Sequence, residues 1–282
     1  MDVLELIDET FDKDRTETYE LSIQVSLNGF SFSVKDTIRN TFIVLISRPF
    51  SGGLITHDNW YPVIEGIVKE FPFLNQKFKK VFFSYTLSPF TIVPKDFFDI
   101  QRIKDLFELT HPLPEHFELR YTSISNGESF VVLFAMPYTL SSAWLKIQPN
   151  TIFLSQSTSL FVGFGKSKYE NFVQVYFEET RMTIVYHKNE KLIAANAFTY
   201  MHTNDALYYI LSFCNSITDN FASVQLSIVG ESFNNNELVK GLNKSFSNVS
   251  IDPIFNSVHF SYRLLRQRNR HYALFNSFAV CE

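Results

Sequence analysis

Leu21-Ser-Ile-Gln-Val-Ser-Leu-Asn-Gly-Phe-Ser-Phe-Ser-Val34 decides the fold class. Leu21, Ile23 and Val25 alternate with Ser22, Gln24 and Ser26, the period-two pattern of a β-strand. Asn28-Gly29 follows. Both residues tolerate positive φ, so the pair predicts a tight hairpin turn. Phe30, Phe32 and Val34 resume the alternation, and Thr41-Phe-Ile-Val-Leu-Ile46 supplies a third, continuous strand. The same meander recurs about half a chain later: residues 172–177, the turn Glu178-Glu179-Thr180, residues 181–186 and residues 192–198. An amphipathic helix pattern follows each copy. Trp60, Ile64, Ile67, Val68 and Phe71 share one face within 58–71, where Asp58 suits the N-cap, and a second helix is expected from Thr203 to Ile217. A repeated order of hairpin, strand and helix predicts an α/β chain of two related halves.

Further strands are expected at 81–86, 90–93, 118–123, 130–135, 151–154, 224–229 and 249–252. Helices are expected at 96–109, 138–147, 157–164 and 235–246, and residues 1–19 as a short helix or an extended arm. The stretch Gly163 to Glu170 reads as the boundary, giving halves 1–168 and 169–282, with the last segment able to pack back on the first.

A chain of 282 residues suits two ordinary domains. A net charge of −4 disfavours a strongly basic nucleic-acid protein. Two cysteines, Cys214 and Cys281, cannot build a disulfide framework, so reduced thiols in a cytoplasmic protein are expected. The acidic opening Met1-Asp-Val-Leu-Glu lacks the basic region of a signal peptide. The longest apolar run, Phe130-Val-Val-Leu-Phe-Ala-Met136, is too short to cross a bilayer, so no membrane insertion is expected.

The repeated order of β-hairpin, strand and helix resembles the actin-like ATPase fold: duplicated ribonuclease-H-like halves around a central cleft. Within that fold the chain resembles the branch of bacterial cell-division and pilus-assembly proteins. Val131-Val-Leu-Phe-Ala-Met-Pro137 with the helices and strand after it, and the closing His271-Tyr-Ala-Leu-Phe-Asn-Ser-Phe-Ala-Val280, carry that likeness. The opening Leu-Ser-Ile-Gln-Val-Ser-Leu-Asn-Gly-Phe-Ser-Phe is also similar to an uncharacterised bacterial family of this fold. The resemblance implies two phosphate loops, at the hairpins 21–34 and 173–186, and a glycine-rich adenosine-binding segment.

The loop positions depart from the active pattern. Active members carry Asp-x-Gly at the end of the first strand. Here Ser26-Leu-Asn28-Gly29 places Ser26 at the aspartate position, and a neutral hydroxyl is a poor ligand for Mg²⁺. Glu178-Glu179-Thr180 contains no glycine, and two carboxylates there would repel a triphosphate. Of the adenosine segment only Gly230 remains, and Asn276 stands where that branch often has glycine. No catalytic residue, metal site or cofactor is therefore expected. ATP with Mg²⁺ belongs to an alternative reading, in which Asp36, Glu178 or Asp205 is recruited to a divergent ATP-binding enzyme.

Outside these loops the chemistry is sparse. Gly163-Phe-Gly165-Lys166 follows a helix pattern and not a strand, so it reads as linker. His202 and Asp205 fit a helix N-terminus better than a metal site, and Cys214 lies on an apolar helix face. Arg263, Arg266, Arg268 and Arg270 form a basic run beside Tyr262 and Tyr272. If the segment is helical, Arg263, Arg266 and Arg270 share a face that would suit RNA or another anionic partner. Pairing with internal acids is the plainer reading. The expected function is a non-catalytic actin-like scaffold working through a protein partner. The alternatives are the divergent ATP-binding enzyme or an RNA-associated accessory protein using 263–271. The oligomeric state stays open.

Overall fold

The computed structural model describes residues 3–26, 29–50, 60–86, 88–124, 129–162, 169–178, 180–218, 220, 223–231, 236–251, 255 and 258–281. The chain forms two compact units. The first holds Met1–Ser159, Ser257–Leu265 and Ser277–Glu282, and the second Leu160–Asn256 and Arg266–Asn276.

In the first unit β1 (Leu4–Ile7) is a strand, where the sequence suggested a helix or arm. It runs antiparallel to residues 44–47. The hairpin is β2 (Tyr19–Val25) and β3 (Gly29–Asp36), and the third strand is β4 (Thr41–Pro49). The meander is antiparallel throughout. β2 is covered on both faces: Leu21, Ile23 and Val25 are buried, and so is Ser22. Ser22 is accommodated because its hydroxyl shares a hydrogen bond with that of Ser277.

After the meander, α1 (Tyr61–Glu70) starts later than the spacing suggested, with a proline in its first turn where the missing N–H costs nothing. Asp58 lies outside the described residues. Ile64 and Ile67 face the core. β5 (Lys80–Tyr85) then pairs parallel with β2. An insertion follows, with its own three-stranded sheet. Its strands are β6 (Phe90–Pro94), β7 (Phe117–Ile124) and β8 (Phe130–Pro137), in the order β6-β8-β7. The single helix expected over 96–109 is not formed. Two short 3₁₀ turns precede α2 (Ile103–Glu108), because the Asp99 carboxylate accepts from the Gln101 N–H and restarts the chain there. Phe107 of α2 anchors this small core against Val93, Val131 and Leu133. α3 (Tyr138–Leu145) and β9 (Thr151–Ser155) close the unit, and β9 pairs parallel with β5. Trp144 is fully buried, and its indole N–H donates to the Thr151 hydroxyl at 2.9 Å.

α4 (Gln156–Val162) leads into the second unit. Its meander is β10 (Asn171–Phe177), β11 (Arg181–Lys188) and β12 (Lys191–Thr199). α5 (Thr203–Ile217) occupies the range read from the sequence and buries Ala206, Ile210, Phe213 and Cys214. β13 (Val224–Gly230) is parallel to β10. α6 (Asn236–Leu242) and β14 (Asn248–Ser250) complete the sheet, α6 ending four residues before the expected 246. β15 (His259–Phe260) returns to the first unit beside residues 41–42. The closing segment is α7 (Tyr272–Asn276) followed by a 3₁₀ turn.

The sheets share one plan. The first carries β4-β3-β2-β5-β9 and the second β12-β11-β10-β13-β14. In each the meander is antiparallel, the first strand is central, and the two later strands are parallel to it. The insertion between β5 and β9 distinguishes the first unit. The stretch Gly163 to Glu170 falls largely outside the described residues.

Candidate functional site

In open α/β sheets, ligands are held beyond the carboxyl ends of the parallel strands. In the first unit those ends are Val25-Ser26, Tyr85-Thr86 and Ser155-Gln156, and none contributes a carboxylate. Ser26 turns inward on its own hairpin: its N–H and its hydroxyl both donate to the Gly29 carbonyl, at 2.9 and 3.2 Å. Gly29 is buried and opens β3 opposite Pro49. Leu27 and Asn28 lie outside the described residues. The neighbouring ends are lined by hydroxyls. Ser84 donates to the Ile23 carbonyl at 3.3 Å, and the Thr86 N–H donates to that of Val25 at 3.0 Å. Ser155 and Thr158 are buried with no partner for their hydroxyls among the described residues. Burial pushes the Tyr85 phenol up.

The equivalent hairpin of the second unit is pinned from outside. The Glu178 N–H donates to the Arg181 carbonyl at 2.8 Å and closes the turn. The Tyr200 hydroxyl donates to the Glu178 carbonyl at 2.7 Å, and the Tyr200 N–H donates to Thr180 at 3.0 Å. The rings of Tyr200 and Phe177 meet edge to face at 5.6 Å. Thr180 is exposed, and Glu179 lies outside the described residues. Burial lowers the Arg181 guanidinium, while the charge of Glu178 opposes that shift.

Gly230 ends β13 at φ +102°, in the region that favours glycine. A Cβ there would stand 2.1 Å from the Phe177 carbonyl oxygen. Its N–H donates to the Asn269 side-chain oxygen at 2.8 Å, while the Asn269 amide nitrogen donates to the Ile251 carbonyl. Gly230 thus serves close approach between β13 and β10 as well as any ligand. Tyr200 and Asn269 hold these turns, and sequence reasoning missed both. Tyr200 reads as the residue after a strand, and Asn269 is hidden inside a basic run.

The remaining candidates resolve into structural roles. Asp205 accepts from the backbone N–H groups of His202 and Met201 at 3.0 and 3.1 Å; these bonds lower its carboxyl and cap α5. Burial pushes the Cys214 thiol up to about 12, unsuited to a nucleophile. Asp36 is buried and accepts from the Ile38 and Arg39 N–H groups at 2.9 and 3.2 Å. Gly163-Phe-Gly165-Lys166 and the Cys281 side chain are outside the described residues. Asn276 is buried in α7.

The basic run is not a continuous helix, which corrects the alignment of its arginines. Turns surround one 3₁₀ stretch, Leu265–Gln267. Leu264 and Asn269 within this stretch are buried, Leu264 in the first unit and Asn269 in the second. Arg263 pairs with Glu9 at 3.7 Å and stands over the Tyr262 ring. Arg270 pairs with Glu231 at 3.3 Å, and Arg266 is exposed. Arg263 belongs to the first unit, Arg266 and Arg270 to the second. Among the described residues no cluster of His, Cys, Asp and Glu could hold a metal ion, and no helix is long and apolar enough to cross a membrane.

A family model described as protein of unknown function (DUF3822) matches residues 8–249. No curated protein matches significantly in sequence. Among solved structures, a Bacteroides thetaiotaomicron protein with actin-like ATPase fold and unknown function is 20% identical. The match covers 97% of this chain and 100% of that one, with a TM-score of 0.77. The PilM-PilN type IV pilus biogenesis complex matches at 10% identity, over 94% of this chain and 98% of that one, with a TM-score of 0.63. The chain has the actin-like ATPase fold.

Proposed function

We propose, from the premise that this chain belongs to the DUF3822 family of proteins of unknown function, that it is a non-catalytic protein of actin-like fold that works through protein contacts. The carrying observation is Ser26. Where the fold's active members need a carboxylate to organise Mg²⁺, this chain has a hydroxyl bonded to its own hairpin at Gly29. A neutral oxygen already engaged in a turn is a poor ligand for a hard, reluctantly dehydrated cation. The second loop adds to this. Its turn carries Glu178 and Glu179 in place of glycine, and the Glu178 N–H that could cradle a phosphate already serves the Arg181 carbonyl. The donor set therefore does not suit Mg²⁺-ATP, and no phosphoryl chemistry follows from it. That a protein of the same fold was solved as a PilM–PilN complex supports protein binding as the work of such a scaffold.

Isothermal calorimetry with ATP and MgCl₂ tests the reading. Binding no tighter than millimolar is expected, about −4 kcal/mol. A saturable micromolar isotherm, lost when Ser26 or Glu178 is replaced, would overturn it in favour of the ATP-binding enzyme.

A further inference from the structure

The third strand of each meander lies at the same place in its sheet, and the two outer edges are treated differently. In the first unit the outer edge of β4 is covered twice. β1 pairs with residues 44–47 and β15 with residues 41–42. The Arg48 guanidinium also donates to the Leu4 carbonyl at 3.0 Å. Two other strand edges each receive one side-chain bond. The Thr122 hydroxyl donates to Phe153 on β9 at 3.3 Å, and the His111 ring to Phe90 on β6 at 3.0 Å.

In the second unit β12 is the edge strand, and among the described residues no strand lies beyond it. The Tyr200 N–H points inward, to Thr180. By alternation the N–H groups of Ala195, Ala197 and Thr199 point outward. Among the described residues the Ala197 N–H makes a local bond, to the Asn196 side-chain oxygen at 2.8 Å. An exposed edge of this kind is a template for another strand, and proteins usually blunt it with charge, proline or a bulge. Past the exposed Lys191 that opens the strand, there is neither charge nor proline from Leu192 to Thr199. The one irregularity is confined to the start of the strand, opposite Tyr186 and His187. Ile193 on the strand and Met201 just beyond it are 54 and 83% exposed.

We infer that β12 is a self-association edge, pairing antiparallel with β12 of a second copy across a two-fold axis. A second copy fits because two-fold pairing sets the strand against itself. Like charges opposed in that way forbid such a contact, and residues 192–199 contain none. The alanines at 194, 195 and 197 put no bulk in the way of the approaching backbone. The pairing gives the outward N–H groups of Ala195 and Thr199 strand partners, exchanges the local bond of Ala197 for one across the two-fold, and does for β12 what β1 and β15 do for β4. It uses the sheet edge and not the carboxyl ends, so it stands apart from the nucleotide question.

Sedimentation equilibrium of the full chain tests this, with two variants. Ala197→Pro removes an outward N–H and leaves the bonds to β11 intact. Asn196→Lys puts a charge opposite itself across the two-fold. The expected result is a concentration-dependent dimer whose association weakens at least about tenfold in each variant, about 1.4 kcal/mol. Circular dichroism checks that each variant folds, and if Ala197→Pro does not, Asn196→Lys decides. A wild-type chain that stays monomeric at hundreds of micromolar overturns the inference, leaving the edge to a strand of another protein. A dimer indifferent to the folded variants overturns it equally.

Discussion

Ser22 and Gln174 hold the same place in the two sheets. Each lies three residues before the last pair of its hairpin, opposite Ser33 in one case and Val185 in the other. Both are fully buried, and both face the closing segment of the chain. Ser22 completes a hydrogen bond with Ser277. Gln174 lies against the Tyr272 hydroxyl, yet neither atom of its amide forms a well-made hydrogen bond. The difference teaches that duplication preserves strand order more strictly than side-chain chemistry. The backbone ladder is obligatory at every position, whereas a buried polar group can be resolved locally in more than one way.

The sharpest way to break the likeness is at Gly230, whose counterpart in the register of the first sheet is Tyr85. Gly230→Ala forces a Cβ into the Phe177 backbone at a positive φ, and backbone cannot swing aside as a side chain can. A loss of about 3–5 kcal/mol is expected. Hydrogen exchange should show it first in β10 and β13.

Acid should separate the units next. Burial lowers His187 to about 4, and burial with the charge of Arg270 lowers His271 to about 4; both lie in the second unit. Below their unfolded value near 6.5 the unfolded chain takes up protons that the folded chain refuses. Stability therefore falls between pH 6.5 and 4, by roughly 3 kcal/mol at most for His187. In the first unit, burial alone would raise Asp8, but hydrogen bonds from Ser261 and Thr10 and the charge of Arg263 hold it below 3.8. Its contribution is complete above 3.8 and is lost only as pH falls through that lower value. Exchange measured down a pH series should show the second unit loosening first. Equal loosening, or first loss in β2–β4, would contradict this.

At the paired positions, Ser22→Ala should cost about 1 kcal/mol, while Gln174→Leu should be neutral or slightly stabilising because it removes an unsatisfied amide. Urea melts of the two variants measure the difference, and equal losses would mean that Gln174 is as well served as Ser22. The smallest effect is expected at Gly66, exposed in α1, where an added Cβ would meet nothing within 4 Å. Gly66→Ala should gain about 0.8 kcal/mol, set against the large loss at Gly230. A thermal melt suffices to check it.

Much of the architecture was legible because it rests on local periodicity. Leu21, Ile23 and Val25 announce β2, and the spacing from Thr203 to Ile217 announces α5. The helix expected over 96–109 failed because Asp99 can bond its own backbone two residues on, a local alternative that apolar spacing does not reveal. The loop departures at Ser26 and Glu178 could be read directly. Their partners could not: the Tyr200 contact to Glu178 and the Asn269 contact to Gly230 span 22 and 39 residues.

The sequence by itself determined the duplicated meander, the helices after it and the absence of a carboxylate at Ser26, since strand period and residue type are properties of neighbours along the chain. Only the tertiary structure decided that β1 and β15 cover β4 while among the described residues no strand lies beyond β12, that Arg263 and Arg270 meet Glu9 and Glu231, and that Gly230 serves packing against Phe177. Each of these depends on which distant segments meet, and long-range pairing is settled by burial and by the closing of every backbone hydrogen bond, not by any short stretch of residues.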